Sequence, residues 1–467
     1  LHTISQAKNE LIGPQEYADY ARGDFQKMVV RIYLAYKQLL KKYKAMDFDD
    51  LLVETVKLLR EQPEERWKYI LVDEYQDTNK AQYEITKLLA SKHRHLTVVG
   101  DFAQSIYSWR GADYRNLLLL KQDFPNLTII NLEQNYRSTQ VILDAANKVI
   151  SKNKNHPVLK LWTAKNGGAK IGVYEADSES DEAAYVVNSV RRLASSYSDF
   201  AVLYRTNAQS RVFEEAFLHA GIPYVLVGGT RFYERKEIKD VVCYLRLVIN
   251  PEDEVARKRA EKMGKTRLEK LEAKGNKTIE ILDSVLKSTG YIELFNLADE
   301  EDLTRLENIK ELRSVAMEYP KLPEFLENIA LTEREASKRR SSGSAVTLMT
   351  LHAAKGLEFK NVFMVGMEER LFPHSRALME PEQMEEERRL AYAGMTRAME
   401  KLYLTYARRR LYFGTRNSNP VSRFLADIPE DLLEANQVIK KTKRLSSSWG
   451  FDESGNWQWK PEDDLPF

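Results

Sequence analysis

The stretch Tyr69-Ile70-Leu71-Val72-Asp73-Glu74-Tyr75-Gln76-Asp77-Thr78-Asn79 decides the fold of this chain. Its apolar run at 69–72 is too short for a helix and is bounded by polar residues, which predicts a strand buried on both faces of a parallel sheet. Two carboxylates, Asp73 and Glu74, follow at the carboxyl end of that strand. Ligands bind at this edge of open α/β sheets, so the acids indicate either a metal ion carrying a phosphate ester or an acidic loop after a core strand.

Short β-rich runs alternate with helical segments along much of the remaining chain, which predicts parallel sheets with crossover helices. The runs lie at 96–99, 127–130, 171–174, 200–204, 224–227, 346–350 and 362–365. Residues 1–60 differ, because their apolar side chains recur at helical spacing. This segment is predicted to form helices that pack in a core, as with Phe25 to Tyr36 and Phe48 to Leu58.

The composition bounds the class of protein. The chain has 467 residues, of which 43% are hydrophobic and 30% charged, and this favours about three domains with real cores. No apolar run is long enough to cross a membrane. A single cysteine, Cys243, excludes an internal disulfide framework and points to the cytoplasm. With 71 basic and 69 acidic residues, any nucleic-acid binding must come from local placement of charge.

The loop after the predicted strand at 96–99 carries a second unusual group of residues. Gln104 lies one strand over from the acidic pair, where a neutral side chain could orient a phosphate or a water. Tyr107 and Trp109 beside Arg110 could stack on bases, each stack being worth roughly 1–3 kcal/mol. The alternative is an ordinary core tyrosine and tryptophan, since large aromatic side chains are mostly buried.

The segment Leu132-Glu133-Gln134-Asn135-Tyr136-Arg137-Ser138 precedes a predicted helix at 139–150. An arginine near a helix N-terminus favours an anion there, although alone it would pass for a surface residue. Taken in order, this segment, Asp73–Asn79 and Gly100–Asp113 resemble the UvrD/Rep family of superfamily 1 DNA helicases. The segments Leu203–Arg211, Leu351–Phe359 and Glu385–Ala398 are similar to the same family, and acids at the start of the last predicted helix favour its dipole.

The resemblance implies an α/β fold of two RecA-like parallel-sheet domains with helical insertions. No Gly-x-x-x-x-Gly-Lys-Ser/Thr loop is present in the sequence, so the first domain is expected to be incomplete at its N-terminus and to lack the phosphate-loop segment. The predicted division is a helical segment of the first lobe and its insertion at 1–60, the first RecA-like domain at 61–137, the second at 138–250 and 341–428, a helical accessory insertion at 251–340, and a flexible tail at 429–467.

The resemblance also implies roles for individual residues, with ATP bound between the two domains. Asp73 would hold Mg²⁺, Glu74 would orient and deprotonate the attacking water, and Gln104 would sense the γ-phosphate. Arg137 and Arg397, the latter matching the arginine finger, would neutralise developing charge. The remaining implied contacts are Tyr136, Gly356 and Glu358 with the nucleotide, and Tyr107, Trp109, Arg110, Arg205, Asn207 and His352 with DNA.

The implied function is that of an ATP-dependent 3′–5′ DNA helicase or translocase acting on single-stranded DNA and on single-strand/duplex junctions. Without the phosphate loop, the isolated chain is expected to have little ATPase activity. One alternative is a non-catalytic remnant that binds single-stranded DNA, which steep salt dependence without ATP would favour. Another is the motor part of a helicase–nuclease, although no further acidic cluster follows residue 425 in a folded-looking context.

The last residues, Asp463-Asp464-Leu465-Pro466-Phe467, combine acids with an apolar end. They resemble the acidic tip by which bacterial single-stranded-DNA-binding proteins recruit partners. We interpret them either as a protein-docking peptide or as the end of a disordered tail.

Overall fold

The structure, a computed structural model, describes residues 1–63, 66–165, 167–297, 299–338 and 343–434, together with two short strands at 449–451 and 457–459. The predicted docking peptide at 463–467 lies outside the described residues. Within the part of the chain that is described, no helix has the length and apolar content that a bilayer crossing requires.

The first lobe is mainly helical around a sheet of two parallel strands, β1 (Ile70–Val72) and β2 (Leu96–Val98). Asn79 caps the helix that follows β1 by accepting the backbone amide of Gln82, so the loop that carries the carboxylates is short and fixed at both ends. The helices of this lobe are α1 (His2–Asn9), α2 (Pro14–Tyr20), α3 (Gly23–Tyr43), α4 (Phe48–Glu61), α5 (Lys80–Leu89) and α6 (Arg115–Asp123).

The chain then forms eleven α-helices and eleven strands in the described residues. The helices are α7 (Gln140–Ile150), α8 (Glu179–Leu193), α9 (Ser210–His219), α10 (Lys236–Ile249), α11 (Glu254–Met263), α12 (Lys265–Glu269), α13 (Thr278–Thr289), α14 (Glu300–Glu318), α15 (Leu322–Lys338), α16 (Pro381–Met395) and α17 (Arg423–Ala426). The strands are β3 (Ile171–Ala176), β4 (Phe200–Tyr204), β5 (Tyr224–Val227), β6 (Val346–Thr350), β7 (Phe359–Met364), β8 (Ala398–Ala407), β9 (Arg410–Tyr412), β10 (Thr415–Asn417), β11 (Leu433–Glu434), β12 (Trp449–Phe451) and β13 (Trp457–Trp459).

The second lobe is built on a seven-stranded sheet in the order β11-β3-β8-β7-β4-β6-β5, with every neighbouring pair parallel. Side chains alternate across β4, so Ala201 and Leu203 join a core with α7 and α16 on one face, while Phe200 and Val202 join a core with α8 and α9 on the other. Helices therefore cover both faces, which explains the continuous apolar runs of these strands.

The helices α10 to α15, here called the helical insertion, leave the sheet after β5 and return at its neighbour β6. They have an apolar core of their own, centred on residues such as Tyr244, Leu312 and Phe325. Buried polar contacts join them to the second lobe: Arg211 on α9 pairs with Glu311 on α14 at 2.9 Å. A buried polar contact thus joins the insertion to the second lobe in addition to the chain connection.

Several sequence predictions are wrong in the first lobe. Residues 127–130 form no strand, because neither β1 nor β2 pairs with them and Ile129 and Ile130 are exposed. The strand at β1 is not buried on both faces: Leu71 is 77% exposed, since no described element covers that side of the two-stranded sheet. The apolar faces of α3 and α4 are also only partly in a core, because no described element covers the rest of them: Val29 and Tyr33 are buried, whereas Phe25 and Phe48 are exposed.

Two boundaries differ in the second lobe. The helix predicted around 385–398 begins earlier, at Pro381, so Glu385 to Glu387 lie beyond its first turn and gain little from its dipole. At the start of the predicted flexible tail, Leu433–Glu434 pairs in parallel with β3 and adds an edge strand to the sheet. The remaining predicted strands of this lobe are confirmed, with β7 starting at Phe359 rather than at 362.

Candidate functional site

The loop after β1 presents its carboxylates in a fixed arrangement. Glu74 has a left-handed backbone, with φ of 50°, which is uncommon for a residue other than glycine. The side chain of Asp73 accepts the backbone amide of Glu74 at 2.8 Å. Gln76 donates to the Glu74 carboxylate at 2.6 Å and accepts the backbone amide of Asp101 at 2.9 Å. Gln76 therefore connects this loop to the loop that follows β2.

Lys355, in the segment after β6, crosses from the second lobe to the first. Its ammonium pairs with Asp77, lies 3.4 Å from Glu74, and donates to the backbone carbonyl of Gln104 at 3.0 Å. Only 8% of the Lys355 side chain is exposed. Burial raises the pKa of Asp77, and the nearby Lys355 ammonium opposes that rise. One cation thus joins three first-lobe residues across the cleft.

Arg397 reaches the same cleft from the turn between α16 and β8. Its guanidinium donates to the side-chain oxygen of Gln104 at 3.4 Å and to the backbone carbonyl of Ala393 at 2.8 Å. Gln104 in turn donates to the Asp101 carboxylate at 2.8 Å. Burial, together with the nearby positive charge of Arg137, lowers the pKa of Arg397 to about 10. Arg397 remains charged at neutral pH, in a poorly solvated position.

Arg137 lies beside Glu358 at the entrance to the second lobe. The two side chains pair at 2.6 Å, and the guanidinium lowers the pKa of Glu358. Asn135 holds this turn by accepting the backbone amides of Arg137 at 2.9 Å and Ser138 at 2.8 Å. The positive charge of Arg137 also lowers the pKa of Arg397, a repulsion that a bound anion would relieve.

The other two predicted nucleotide contacts flank this pair of arginines. Tyr136 is 77% exposed, and its hydroxyl donates to Gln134 at 3.1 Å. Gly356 has a left-handed backbone with φ of 81°, and a Cβ atom built there would meet no atom within 4 Å. Both residues thus border open space on the second-lobe side of the cleft.

The aromatic loop after β2 faces the segment that follows β6. The Tyr107 hydroxyl donates to the backbone carbonyl of His352 at 3.1 Å, and its ring lies 6.4 Å from those of Trp109 and His352. Arg110 lies over the Trp109 ring at 4.5 Å. Trp109 is 40% exposed, whereas Tyr107 packs partly against the second-lobe core. Trp109 therefore has a ring face available at the surface, and the core interpretation does not fit it.

Arg205 and Asn207 follow β4, and the structure gives Arg205 a partner that the sequence did not indicate. Its guanidinium donates to both carboxylate oxygens of Glu387 at 2.7–3.1 Å. Desolvation, with the Arg205 charge nearby, lowers the pKa of His352 to about 3, so this imidazole is neutral at physiological pH. The backbone carbonyl of Asn207 accepts a hydrogen bond from the Arg235 guanidinium at 3.1 Å.

Sequence reasoning missed three residues that bridge the lobes, Lys355, Glu386 and Arg389. It also missed Gln76, which joins two loops of the first lobe. Arg389 donates to the backbone carbonyl of Ser105 at 2.7 Å, and Glu386 accepts both the amide and the hydroxyl of Ser108. The only local signal was that all four residues lie inside segments already singled out. The residues that these side chains contact form no sequence pattern of their own.

A divalent cation is compatible with the first-lobe loop. Within the described ranges no group of three or more His, Cys, Asp or Glu side chains could form a protein cage for a metal. Mg²⁺ bound through phosphates commonly needs only one or two protein carboxylates. One carboxylate oxygen of Asp73 accepts the backbone amide of Glu74, which leaves the other oxygen for a metal. Asp73 and Glu74 are both exposed to the cleft solvent, so they fit such a role.

Fold and site together define a two-lobed α/β protein in which acids and a glutamine of one lobe meet arginines and a lysine of the other. Residues 1–125 match the model of the UvrD/REP helicase N-terminal domain, and residues 130–302 and 296–409 match that of the UvrD-like helicase C-terminal domain. The chain belongs to the UvrD/REP helicase family.

Several curated relatives are similar over nearly the whole chain. The ATP-dependent DNA helicase PcrA of Bacillus subtilis is 44% identical, over 96% of this chain and 70% of the relative. The proteins of the same name from Staphylococcus epidermidis and Leuconostoc citreum are 42% and 41% identical, over 94% and 97% of this chain and 69% and 70% of those relatives. A solved C-terminal domain of a possible DNA helicase from a Lactobacillus overlaps with a TM-score of 0.31 at 14% identity, covering 65% of this chain and 99% of that one, which is too weak to support an argument.

Proposed function

We propose that this chain is the DNA-engaging motor of an ATP-dependent 3′–5′ DNA helicase or translocase that acts on single-stranded DNA and on single-strand/duplex junctions. The observation that carries the proposal is the convergence of Glu74, Gln104, Lys355 and Arg397 on one cleft between the lobes. The names of the PcrA relatives support ATP and DNA as the ligands.

The first lobe would supply the groups that act on the attacking water. Asp73 would hold Mg²⁺, which when bound neutralises phosphate charge. Glu74 would orient and deprotonate the water, and its constrained backbone together with the Gln76 hydrogen bond would fix the carboxylate direction. Gln104 would respond to the γ-phosphate, because its amide already lies between Asp101 and Arg397.

The second lobe would supply positive charge. Arg397 and Arg137 would neutralise charge developing on the phosphoryl oxygens, and a contribution of this kind is worth about 10³–10⁵ in rate for an arginine finger. The mutual repulsion of the two guanidiniums favours an anion between them. Tyr136 would pack on the adenine, Glu358 would bind the ribose after release from Arg137, and Gly356 would let the backbone approach closely.

The same bridges would couple the nucleotide to DNA. Lys355 contacts Gln104 on the nucleotide side and lies 5.4 Å over the Tyr107 ring on the DNA side. Tyr107 bonds His352, so a movement of the cleft would shift the aromatic loop relative to the second lobe. Trp109 and Arg110 would stack on bases, and the neutral His352 would contact DNA as a hydrogen-bonding or stacking group rather than as a cation. Asn207 would donate from the adjacent turn.

We propose that Arg205 acts on DNA through its neighbours and does not contact a DNA phosphate directly. Its bidentate pair with Glu387 leaves no oxygen of that carboxylate without a guanidinium contact. Arg205 would therefore position His352 and the loop around it, and would reach DNA only if the pair opens. The buried pair is costly to break by removing one partner.

The sequence contains no Gly-x-x-x-x-Gly-Lys-Ser/Thr loop, so the β- and γ-phosphates lack that cradle within these residues. We infer that the 467-residue chain alone hydrolyses ATP slowly. We also propose a cytoplasmic location, the domain boundaries given in the sequence analysis, and protein docking through the C-terminal residues 463–467. The second candidate, a non-catalytic single-strand-binding remnant, is favoured by the fact that Trp109 and Arg110 do not depend on the phosphate loop.

The test compares ATP hydrolysis by the chain alone with that of the chain preceded by a phosphate-loop segment, each with and without a poly-dT oligonucleotide. We expect little hydrolysis by the chain alone and DNA-stimulated hydrolysis by the extended chain. Robust DNA-stimulated hydrolysis by the chain alone would contradict the role given to the loop. An extended chain that binds poly-dT but never hydrolyses ATP would favour the remnant.

A further inference from the structure

The helical insertion contains a cavity of about 790 Å³ between α10, α11, the turn at Tyr291–Leu294 and the start of α14. The proposed motor function does not use it. Five cations and three carboxylates line it, together with an apolar surface. The cations are Lys236, Lys258, Arg259, Lys262 and Arg305, and the carboxylates are Glu237, Asp240 and Asp302.

The carboxylates of the cavity are already satisfied by the protein. Asp240 accepts bonds from Arg259 at 2.7 Å and from the Tyr291 hydroxyl at 2.8 Å. Glu237 accepts the Asn308 amide at 2.6 Å, and Asp302 pairs with Arg305 at 2.8 Å. Asp240 and Asp302 are therefore neutralised by guanidiniums, while Glu237 is hydrogen-bonded to a neutral amide.

Unlike the carboxylates, the lysines of the rim have few partners in the protein. Lys236 and Lys262 form no ion pair with any residue that the structure describes, and Lys258 has only a distant, exposed contact with Glu254 at 3.6 Å. Three exposed ammonium groups therefore face one opening. An anionic ligand would gain from this positive rim, and salt would weaken the gain.

The floor of the cavity is apolar. Tyr291, Phe295 and Met263 line it, and Val255 and Leu294 beside them are exposed hydrophobic side chains, Val255 to 73%. Exposed apolar surface of this kind, rimmed by polar residues, commonly marks a binding site. A phosphodiester backbone would use the lysines but would leave this floor uncovered. The matching ligand carries carboxylates and apolar side chains next to each other.

The chain itself carries such a ligand. Glu462, Asp463 and Asp464 are followed directly by Leu465, Pro466 and Phe467, so acids and apolar groups adjoin over six residues. We propose that the cavity of the helical insertion is the docking site for this tail segment, with the acids on the lysine rim and Leu465 and Phe467 on the apolar floor. A peptide that combines charge with a large aromatic anchor uses both halves of the site.

The tail is long enough to reach the cavity. Between Glu434, at the edge strand β11, and Asp463 lie 28 residues, of which 449–459 include the paired strands β12 and β13. The roughly 17 residues outside 449–459 span up to about 60 Å when extended. A compact chain of this size has a radius of gyration on the order of 23 Å. Both docking within one molecule and docking on a second copy are therefore sterically open, and the test separates them.

The experiment titrates a fluorescent peptide of residues 460–467 into the full chain carrying Phe467→Ala, so that the chain's own tail does not compete. We expect saturable binding that weakens about tenfold or more in the double variant Lys258→Glu/Lys262→Glu. The charge-matched control is Lys270→Glu/Lys274→Glu, which alters two exposed lysines outside the cavity and should bind as the parent does. Peptides with Phe467→Ala, or with Asp463→Asn/Asp464→Asn, should each bind more weakly than the natural one.

Carbodiimide cross-linking of the unmodified chain then locates the natural tail. We expect Asp463 or Asp464 joined to Lys258 or Lys262, in monomers if the tail docks on its own molecule and in dimers if it docks on a second copy. Absence of peptide binding, or equal binding by the rim and control variants when both unfold at the parent temperature, would overturn the proposal. The proposal would also be overturned if Lys258→Glu/Lys262→Glu weakened oligonucleotide binding while the parent chain did not bind the peptide. None of these results depends on ATP hydrolysis.

Discussion

Lys355→Met offers the sharpest test of how the two lobes are held together. The substitution removes an ammonium that pairs with Asp77 and Glu74 and bonds the Gln104 carbonyl, while keeping most of the side-chain volume. It leaves the Asp77 carboxylate, whose side chain is only 19% exposed, without its cation.

The magnitude follows from that burial. Breaking a fully buried ion pair by removing one partner costs about 3–5 kcal/mol. Asp77 keeps some solvent contact, and the pairing of Lys355 with the half-exposed Glu74 is largely screened, so we expect about 2–3 kcal/mol. This free energy corresponds to about a 30- to 150-fold increase in the opening of the cleft.

The assay is native-state hydrogen exchange at the interlobe loops, because a chain with several domains does not give a single unfolding free energy. Amides of 74–79 and 101–111 should exchange faster in Lys355→Met by the factor above. Lys360→Met is the matched control: its ion pair with Asp199 at 3.2 Å is on the surface, and its loss should cost less than about 1 kcal/mol.

The pH dependence gives a further check on the same variant. Burial already raises the pKa of Asp77, and removal of Lys355 raises it further. Protonation then relieves the unpaired charge, so the exchange defect should shrink as the pH is lowered from 7 to 5. Equal exchange in Lys355→Met and Lys360→Met, or a defect that grows at low pH, would refute the reasoning.

Three further predictions concern other parts of the molecule. Trp109→Ala should weaken binding of poly-dT by about 1–3 kcal/mol, as measured by fluorescence anisotropy, whereas the exposed Trp67→Ala should have little effect. Glu387→Gln should free a guanidinium for DNA and steepen the logarithmic salt dependence of poly-dT binding by about 0.7, and an unchanged slope would contradict the account of that pair. Burial raises the pKa of Glu311 to about 7, so its favourable contribution is complete below its unfolded pKa and is lost as the pH rises through 7. Glu311→Gln should remove on the order of 3 kcal/mol of that pH dependence between pH 5 and 8, measured as the opening free energy of the α14 amides by native-state hydrogen exchange, and a pH dependence equal to the parent's would contradict this.

The loops that carry the site were predictable because their chemistry is local. Asp73 and Glu74 directly follow a strand, and Arg137 lies shortly before the helix α7, so strand and helix signals alone place them near element ends. The strands of the second lobe were predictable for a similar reason, since a sheet covered on both faces gives continuous apolar runs.

The pairings across the cleft were not predictable in the same way. Arg205 and Glu387 are 182 residues apart, and Lys355 and Asp77 are 278 apart, so no local pattern links them. The strand predicted at 127–130 failed because apolar residues alone do not provide a pairing partner. The predicted burial of Phe25 and Phe48 was also wrong, because helical spacing identifies an apolar face but not the element that covers it.

The central claim is that acids of the first lobe and arginines of the second act on one triphosphate. Its most direct test is the rate of poly-dT-stimulated ATP hydrolysis by the chain preceded by a phosphate-loop segment, with Arg397→Ala compared with the exposed control Arg408→Ala. We predict that Arg397→Ala lowers the rate by about 10³ or more with little change in poly-dT affinity, while Arg408→Ala retains the parent rate. An Arg397→Ala rate within about tenfold of the parent would contradict the claim, because a guanidinium at the reacting phosphate cannot be removed so cheaply.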